Sequence, residues 1–245
     1  MKTQTDLDRL AMRTRPEGSP IMHQTWQNLL FLHWPIDPAL LRPLIPERLE
    51  IDTYDGKAWI GVTPFAMTDV HLTSLPPIPG LDSLLELNVR TYVHHDGKPG
   101  VWFFSLDASK LIPAMAARIL FMLPYYKADM QFTQQESEMH FSSRRVIGRE
   151  ARFDARWRTG IQLRDPDIDS LAFFLVERYC LFAGSDESLA ITRIYHHPWI
   201  LDEVLGLEQQ STMIAALDLP EPSDAPLAHF SRSLSVDIWE PLSLA

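Results

Sequence analysis

The chain has 245 residues, 46% hydrophobic and 22% charged, with a formal net charge of −10. That charge argues against a broad nucleic-acid or anionic-membrane surface, and the length suffices for one sizeable core. Cys180 is the lone cysteine, the N-terminus lacks an apolar signal region, and no apolar run approaches the ~20 residues of a membrane span, so a cytoplasmic protein with no nucleic-acid or membrane partner is expected.

Residues 1–20 read as a polar arm with a helical turn near Leu7–Met12, and 21–245 as a single domain. Trp26 to Trp34 has the apolar content of a buried strand. Asp37-Pro38 starts a short helix, with Asp as N-cap and Pro at the first helical position, and Pro46 ends it. Leu49–Ile51 and Ala58–Phe65 read as strands around a Tyr54–Lys57 turn. Leu72 to Ser83, with three prolines, reads as a long loop, and its length suggests a lid. Ala114 to Met122 has a helical pattern, and Gln131 to Trp157 reads as two or three strands. Ser170 caps a short buried helix carrying Glu177 and Arg178. Ser188 to Tyr195 reads as a strand. Leu201 to Leu217 is the best helix candidate, weakened by Gly206. Pro220 to Pro226 is a linker, and His229 to Trp239 alternates as a closing strand. No repeat or low-complexity tract appears, and many short strands with few helices predict a mainly antiparallel β fold.

The stretch Leu84 to Ala108 is the most informative. Two alternating arms flank an Asp96-Gly97 turn. Side chains in a strand alternate between faces, so Glu86, Asn88, Arg90 and Tyr92 share one face. Pairing with residue numbers summing to 193 sets Glu86 opposite Asp107, Asn88 opposite Ser105 and Arg90 opposite Phe103. A solvated face carries a loose mixture of Lys, Glu and Thr. This set reads instead as a buried polar network or a cavity lining. Glu86 and Asp107 as close like charges would raise one pKa and supply a general acid, unless an arginine pairs with them structurally. Lys110, just beyond, is a candidate Schiff-base nucleophile if desolvated, with Lys127 second among five lysines.

No GxGxxG, Walker A, GxSxG, CxxC or HExxH motif is present. His94-His95 and His196-His197 lack metal-ligand spacing, since adjacent strand residues face opposite ways. No metal and no cofactor is therefore expected.

WQNLLFLHWPIDPALLRPLIPERLEID at 26–52, the hairpin ELNVRTYV…GKPGVWFFSLDA, LPYYKADM, FLVERY, YHHPW and HFSRSLSVDIW together resemble the YqjF-type family of uncharacterised proteins, from about Met22 to Trp239. That family is similar at the superfamily level to acetoacetate decarboxylase. The resemblance implies an α+β, mainly β fold: an antiparallel β cone or barrel around a cavity, with flanking strands and a few short helices. It also marks Glu86, Asn88, Arg90, Tyr92, Ser105 and Asp107 on the hairpin as family positions. Beyond it, Arg118, Tyr125, Glu177, Arg178, His197, His229 and Arg232 match the same pattern. The decarboxylase uses two adjacent lysines after the strand corresponding to Val101–Leu106. Here Lys110 falls one residue early, Leu111 takes the nucleophile's place, and Gln27 falls where that family has an arginine.

The residues thus predict a protein that binds a small anionic or carbonyl ligand, or an enzyme acting on one. In that reading Arg90 holds an oxyanion through its guanidinium fork. Tyr92, Tyr125 and Asn88 orient the ligand, with Glu86 or Asp107 as acid or base. The alternatives are a lysine-dependent decarboxylase using Lys110, and a non-enzymatic interaction protein, with homo-oligomers as partners, whose polar residues satisfy one another.

Overall fold

The computed structural model describes residues 9–110 and 121–244. Among them, thirteen strands join one large mixed sheet, with two short helices, Pro38–Leu41 and Leu171–Val176, and a few 3-10 turns. The long strands β1 (Met22–Ile36), β3 (Ala58–Leu72), β4 (Leu84–His95) and β5 (Lys98–Ala108) lie side by side, with β12 (Leu227–Ile238) on the far side of β1. The two-residue β2 (Glu50–Ile51) pairs with the turn end of β4.

Two routes lead from β5 to β12. One passes through β9 (Cys180–Ala183) and β10 (Ala190–Tyr195), the second through β6 (Tyr125–Gln135), β7 (Glu138–Arg145), β8 (Arg152–Gln162) and β11 (Asp202–Ser211). The seams are thin. β5 meets β9 through two residue pairs, and β11 meets β12 through one. The pairing is thus a loop stitched at narrow joints, not a continuous barrel wall. β13 (Leu242–Ser243) adds to the free side of β10. The sheet is also not purely antiparallel: β5 runs parallel to both β6 and β9. Parallel neighbours need a long crossover, and the chain between β5 and β6 is long enough to supply one.

The central strands are buried on both faces. Along β1, Leu30 and Leu32 enter one core with Val62, Val89, Phe141 and Trp157. Leu29 and Phe31 enter another with Phe65, Tyr92 and Phe174. Burial on both faces explains the near-continuous apolar run of β1.

The expected caps are in place. The Asp37 side chain accepts from the Ala39 amide, and the Ser170 hydroxyl accepts from the Phe173 amide. The expectation of a helix over 201–217 is wrong. Residues Asp202–Ser211 form β11, and only Ala215–Leu217 makes a 3-10 turn. Pairing with β8 overrides the apolar spacing, and a register shift between Leu205 and Glu208 produces the irregular pattern that mimicked a helical period. The helix read at Ala114 to Met122 lies almost wholly outside the described residues.

Candidate functional site

The site begins with the hairpin β4–β5. Asp96 and Gly97 have φ of 49 and 76, the left-handed pair of a two-residue turn that matches strand twist. From that turn inward the expected register holds as far as Arg90 opposite Phe103. There Phe104 is an extra residue, so Val89 pairs with Ser105, Asn88 with Leu106 and Glu86 with Ala108. One inserted residue exchanges the faces of everything beyond it. Leu106 therefore joins Glu86, Arg90 and Phe103 around a cavity, while Ser105 and Asp107 turn to the opposite face. The expected Glu86–Asp107 and Asn88–Ser105 pairs are not formed.

The cavity has a volume of about 80 Å³, room for a few heavy atoms or several waters. Trp26, Phe65, Phe103, Leu123 and Trp199 supply apolar walls. Glu86, Arg90, Tyr125, Arg178 and His196 supply the chemistry.

Glu86 is 3% exposed and has no cation partner among the described residues. The Tyr125 hydroxyl donates to its Oε2 at 2.8 Å. Burial raises the Glu86 carboxyl most, hydrogen bonds from Tyr125 and Asn88 oppose it in part and Asp107, through the sheet, adds a smaller upward push, so that the carboxyl stands at about 7, up from 4.5. Burial, with Glu86 beside it, holds the Tyr125 phenol well above 10. Asn88 is buried, and its Oδ1 has no partner among the described residues.

Two arginines share the cavity. Arg90 passes beside the backbone of Gly61, where a Cβ would lie 3.0 Å from the His33 ring and 3.5 Å from Arg90 Cγ. A glycine there lets both side chains cross the strand. The Arg90 guanidinium sits 5.3 Å from the Phe31 ring centroid and 5.9 Å from that of Tyr92. Its Nε is buried and unpartnered, and no carboxylate pairs with it among the described residues. Arg178 is 5% exposed. Its Nη1 donates to Asp52 at 2.6 Å and its Nε to the Phe174 carbonyl at 2.8 Å, but Nη2 is buried with no partner. Burial lowers the Arg178 pKa from its ordinary value, and Asp52 opposes that.

A shell of further polar groups surrounds these. Tyr92 donates to the Leu175 carbonyl at 2.8 Å and meets His33 Nε2 at 2.7 Å, which makes His33 Nε2 the donor in that bond. His33 Nδ1 is unpartnered, and burial, then Arg90 and His229, drives the His33 pKa well below 6.5. His229 faces it from β12 and is itself lowered by burial. Asp52 receives both Arg178 and Arg9, the latter at 2.6 and 2.8 Å. Burial alone would raise Asp52, and the two arginines outweigh it to hold the carboxyl at about 2. Glu177 is fully engaged by the Tyr179 hydroxyl, the Trp199 amide and Arg13.

Several candidates stand elsewhere. Asp107 is gripped by Arg145 through three contacts of 2.7 to 3.1 Å on the opposite face. Ser105 is buried there, its hydroxyl unpartnered among the described residues. Lys110 donates to the Gly80 carbonyl at 2.8 Å and to Ser83 at 3.2 Å, and Lys127 to the Ser109 carbonyl at 2.6 Å. Among the described residues no lysine lines the cavity. His197 is exposed, and it is His196 that faces inward, stacked on Tyr179 at 4.4 Å. Arg118 lies outside the described residues. The expected loop follows β3, which ends at Leu72, and no residue of 73–83 lines the cavity. Sequence reasoning missed His33, Asp52, Arg9 and His196. His33 alternates with Phe31 on a buried strand, a signal that was available. Asp52 lies in a loop, and only tertiary structure brings Arg9 and Arg178 to it.

Among the described residues no three His, Cys, Asp or Glu side chains converge as a metal site, and no helix is long and apolar enough to cross a membrane.

A family model described as DUF2071, uncharacterized conserved protein, matches residues 23–235. The uncharacterized protein YqjF of Bacillus subtilis (strain 168) is 40% identical over 224 residues, covering 91% of this chain and 93% of that protein. In solved structures, the enduracididine biosynthesis enzyme MppR, complexed with the condensation product of pyruvate and imidazole 4-carboxaldehyde, aligns at a TM-score of 0.64 with 13% identity, over 93% of this chain and 90% of that one. An acetoacetate decarboxylase-like enzyme from Sphingomonas wittichii RW1 aligns at 0.63 with 14% identity, over 93% and 94%. Acetoacetate decarboxylase of Legionella pneumophila aligns at 0.59 with 13% identity, over 100% and 96%. These structural likenesses establish the fold, and the sequence match goes further: the chain is a member of the DUF2071 family.

Proposed function

We propose that this protein binds a small carboxylate in the Glu86–Arg90–Arg178 cavity, with Arg90 as the anchor. The observation that carries the reading is an arginine on a cavity wall with no carboxylate paired to it among the described residues. Arg90 is partly exposed, but its Nε is buried without a partner; withdrawing a guanidinium from water without a counter-ion is costly, and an incoming carboxylate offsets that cost with charge-assisted hydrogen bonds. Arg178 adds a second unsatisfied N–H, and Asp52 neutralises only part of the local positive charge, since it is shared with Arg9. The volume limits the ligand to a few heavy atoms, and the aromatic walls favour a compact, partly apolar one. Pyruvate, which a structural neighbour binds, is a suitable probe. Lysine chemistry receives no support, because Lys110 and Lys127 are engaged by backbone carbonyls away from the cavity.

The test is a thermal-shift series with pyruvate and other small carboxylates on wild type and Arg90→Ala. A ligand at 100-fold its Kd stabilises by about 2.7 kcal/mol, a shift of roughly 5–10 °C for a chain of this size. Wild type is expected to shift and Arg90→Ala is not. Equal shifts in both proteins remove Arg90 as the anchor.

A further inference from the structure

Glu86 and the two arginines offer complementary chemistry across one small space. Glu86 Oε2 is held by Tyr125, the residue is 3% exposed, and no cation partner fixes it in the ionised form among the described residues. Arg178 Nη2 is a buried donor on the same cavity with nothing to bond. Arg90 lies on the same strand face as Glu86, four residues along, or roughly 13 Å between Cα atoms at about 3.3 Å per residue. Both side chains line the same cavity. A ligand whose carboxylate reaches Arg90 shares that cavity with the side chains of Arg178 and Glu86.

We propose that Glu86 is a catalytic base for enolisation of a small 2-oxoacid, a lysine-independent activity. In the forward step the Glu86 carboxylate takes a proton from the carbon next to the ketone. The C–H bond breaks, an O–H bond forms on Glu86, and the electron pair moves through the new C=C bond onto the ketone oxygen. The Arg178 Nη2–H donates to that oxygen as its negative charge develops, so the unpartnered donor finds its acceptor in the transition state. Return of the same proton, or of one exchanged with water, regenerates the oxoacid, so atoms and electrons balance with no co-reactant. Apolar walls keep the base poorly solvated. The shift of the Glu86 carboxyl to about 7 fits a base that exchanges protons near neutral pH. Tyr125 is a positioning residue, since it bonds Glu86 and not the reacting carbon.

This inference rests on the carboxylate-binding reading, and one experiment separates the two. The protein is incubated with pyruvate in D2O and loss of the methyl signal is followed by proton NMR, with thermal shift by pyruvate measured in parallel. Wild type is expected to exchange the methyl protons faster than buffer. Glu86→Gln is expected to lose at least 100-fold of that excess while keeping its thermal shift. Tyr125→Phe removes a bond that favours ionised Glu86, so its pH–exchange profile moves to higher pH, a change that mere loosening of the fold does not produce. The groups acting on Glu86 are Tyr125, Asn88 and, through the sheet, Asp107, and of these only Tyr125 is altered. Binding without exchange in wild type overturns the enolisation proposal and leaves the binding site standing. Undiminished exchange by Glu86→Gln overturns it as well. No exchange with pyruvate, and no thermal shift with pyruvate or any other small carboxylate of the series, overturn both.

Discussion

Glu86 and Asp107 sit on adjacent strands of one hairpin, and both carboxyls are buried. Asp107 lies in the bidentate grip of Arg145, which itself stacks 4.2 Å from the centroid of the Tyr126 ring. Glu86 has a phenol and an amide. One carboxylate is neutralised and serves the fold. The other is left near its own ionisation point and faces a cavity. What separates them is a single residue, Phe104, whose insertion sends Asp107 to the far side of the sheet. Burial alone does not mark a functional carboxylate. The chemistry of its partners does.

The comparison is broken most forcefully by making the same amide change at each position. Asp107→Asn leaves Arg145 charged and buried without a partner, and such a loss costs about 3–5 kcal/mol, roughly 10 °C in melting temperature for a chain of this size. Glu86→Gln is expected to do the opposite. The folded state raises this carboxyl from 4.5 to about 7, so the native protein binds the proton more tightly than the unfolded chain. The stability from that proton is complete below pH 4.5 and is lost as pH rises through 7. At about 1.4 kcal/mol per pKa unit the loss reaches about 3 kcal/mol above pH 7. Gln escapes it. Urea denaturation is therefore expected to find Glu86→Gln more stable than wild type at pH 8 and no more stable at pH 4. A destabilised Glu86→Gln at pH 8 would place Glu86 with Asp107 among the structural carboxylates.

Asp52 sharpens the contrast from the other side. Its carboxyl is held at about 2 against an ordinary 3.8, because Arg178 and Arg9 outweigh burial. Here the sign reverses. The contribution is present above pH 3.8 and is lost as pH falls through 2, about 2 kcal/mol in all. Asp52→Asn is expected to lose about that much stability at pH 7, read by urea denaturation, with the difference from wild type closing on acidification. A difference that persists at pH 2 assigns the effect to packing and not to charge.

The hairpin shows how far the sequence was legible. Alternation and the Asp96-Gly97 turn predict the strands, their partner and the register near the turn. The bulge at Phe104 has no local signature, and its consequence is the exchange of Ser105 and Asp107 for Leu106 and Ala108 on the cavity face. Glu86 and Arg90 are readable because the extra residue lies in β5 and leaves the alternation of β4 unbroken, and Tyr125 because it lies on the next strand. The pair His196-His197 alternates, but which ring turns inward is fixed by Tyr179 stacking and by carbonyls of residues 178 and 197. The Asp52 cluster draws on residues more than 40 and more than 120 positions away. Local pattern carries no information at that range.

Gly206 offers the smallest test and the one that most directly separates the two readings of its segment. In a helix, Gly→Ala is stabilising by about 1 kcal/mol, because alanine loses less backbone entropy. In β11 the same glycine has φ of 57 and sits where the register with β8 shifts. A Cβ there would meet Arg158 at 3.5 Å, an ordinary contact, so side-chain crowding is not the obstacle. The cost is the left-handed backbone itself, about 1–2 kcal/mol for an L-residue. Gly206→Ala is therefore expected to destabilise, and Gly206→Asn, which tolerates that conformation better, to destabilise less. The order Gly, Asn, Ala in urea midpoint is the signature of a bulged strand. A helix predicts Ala first.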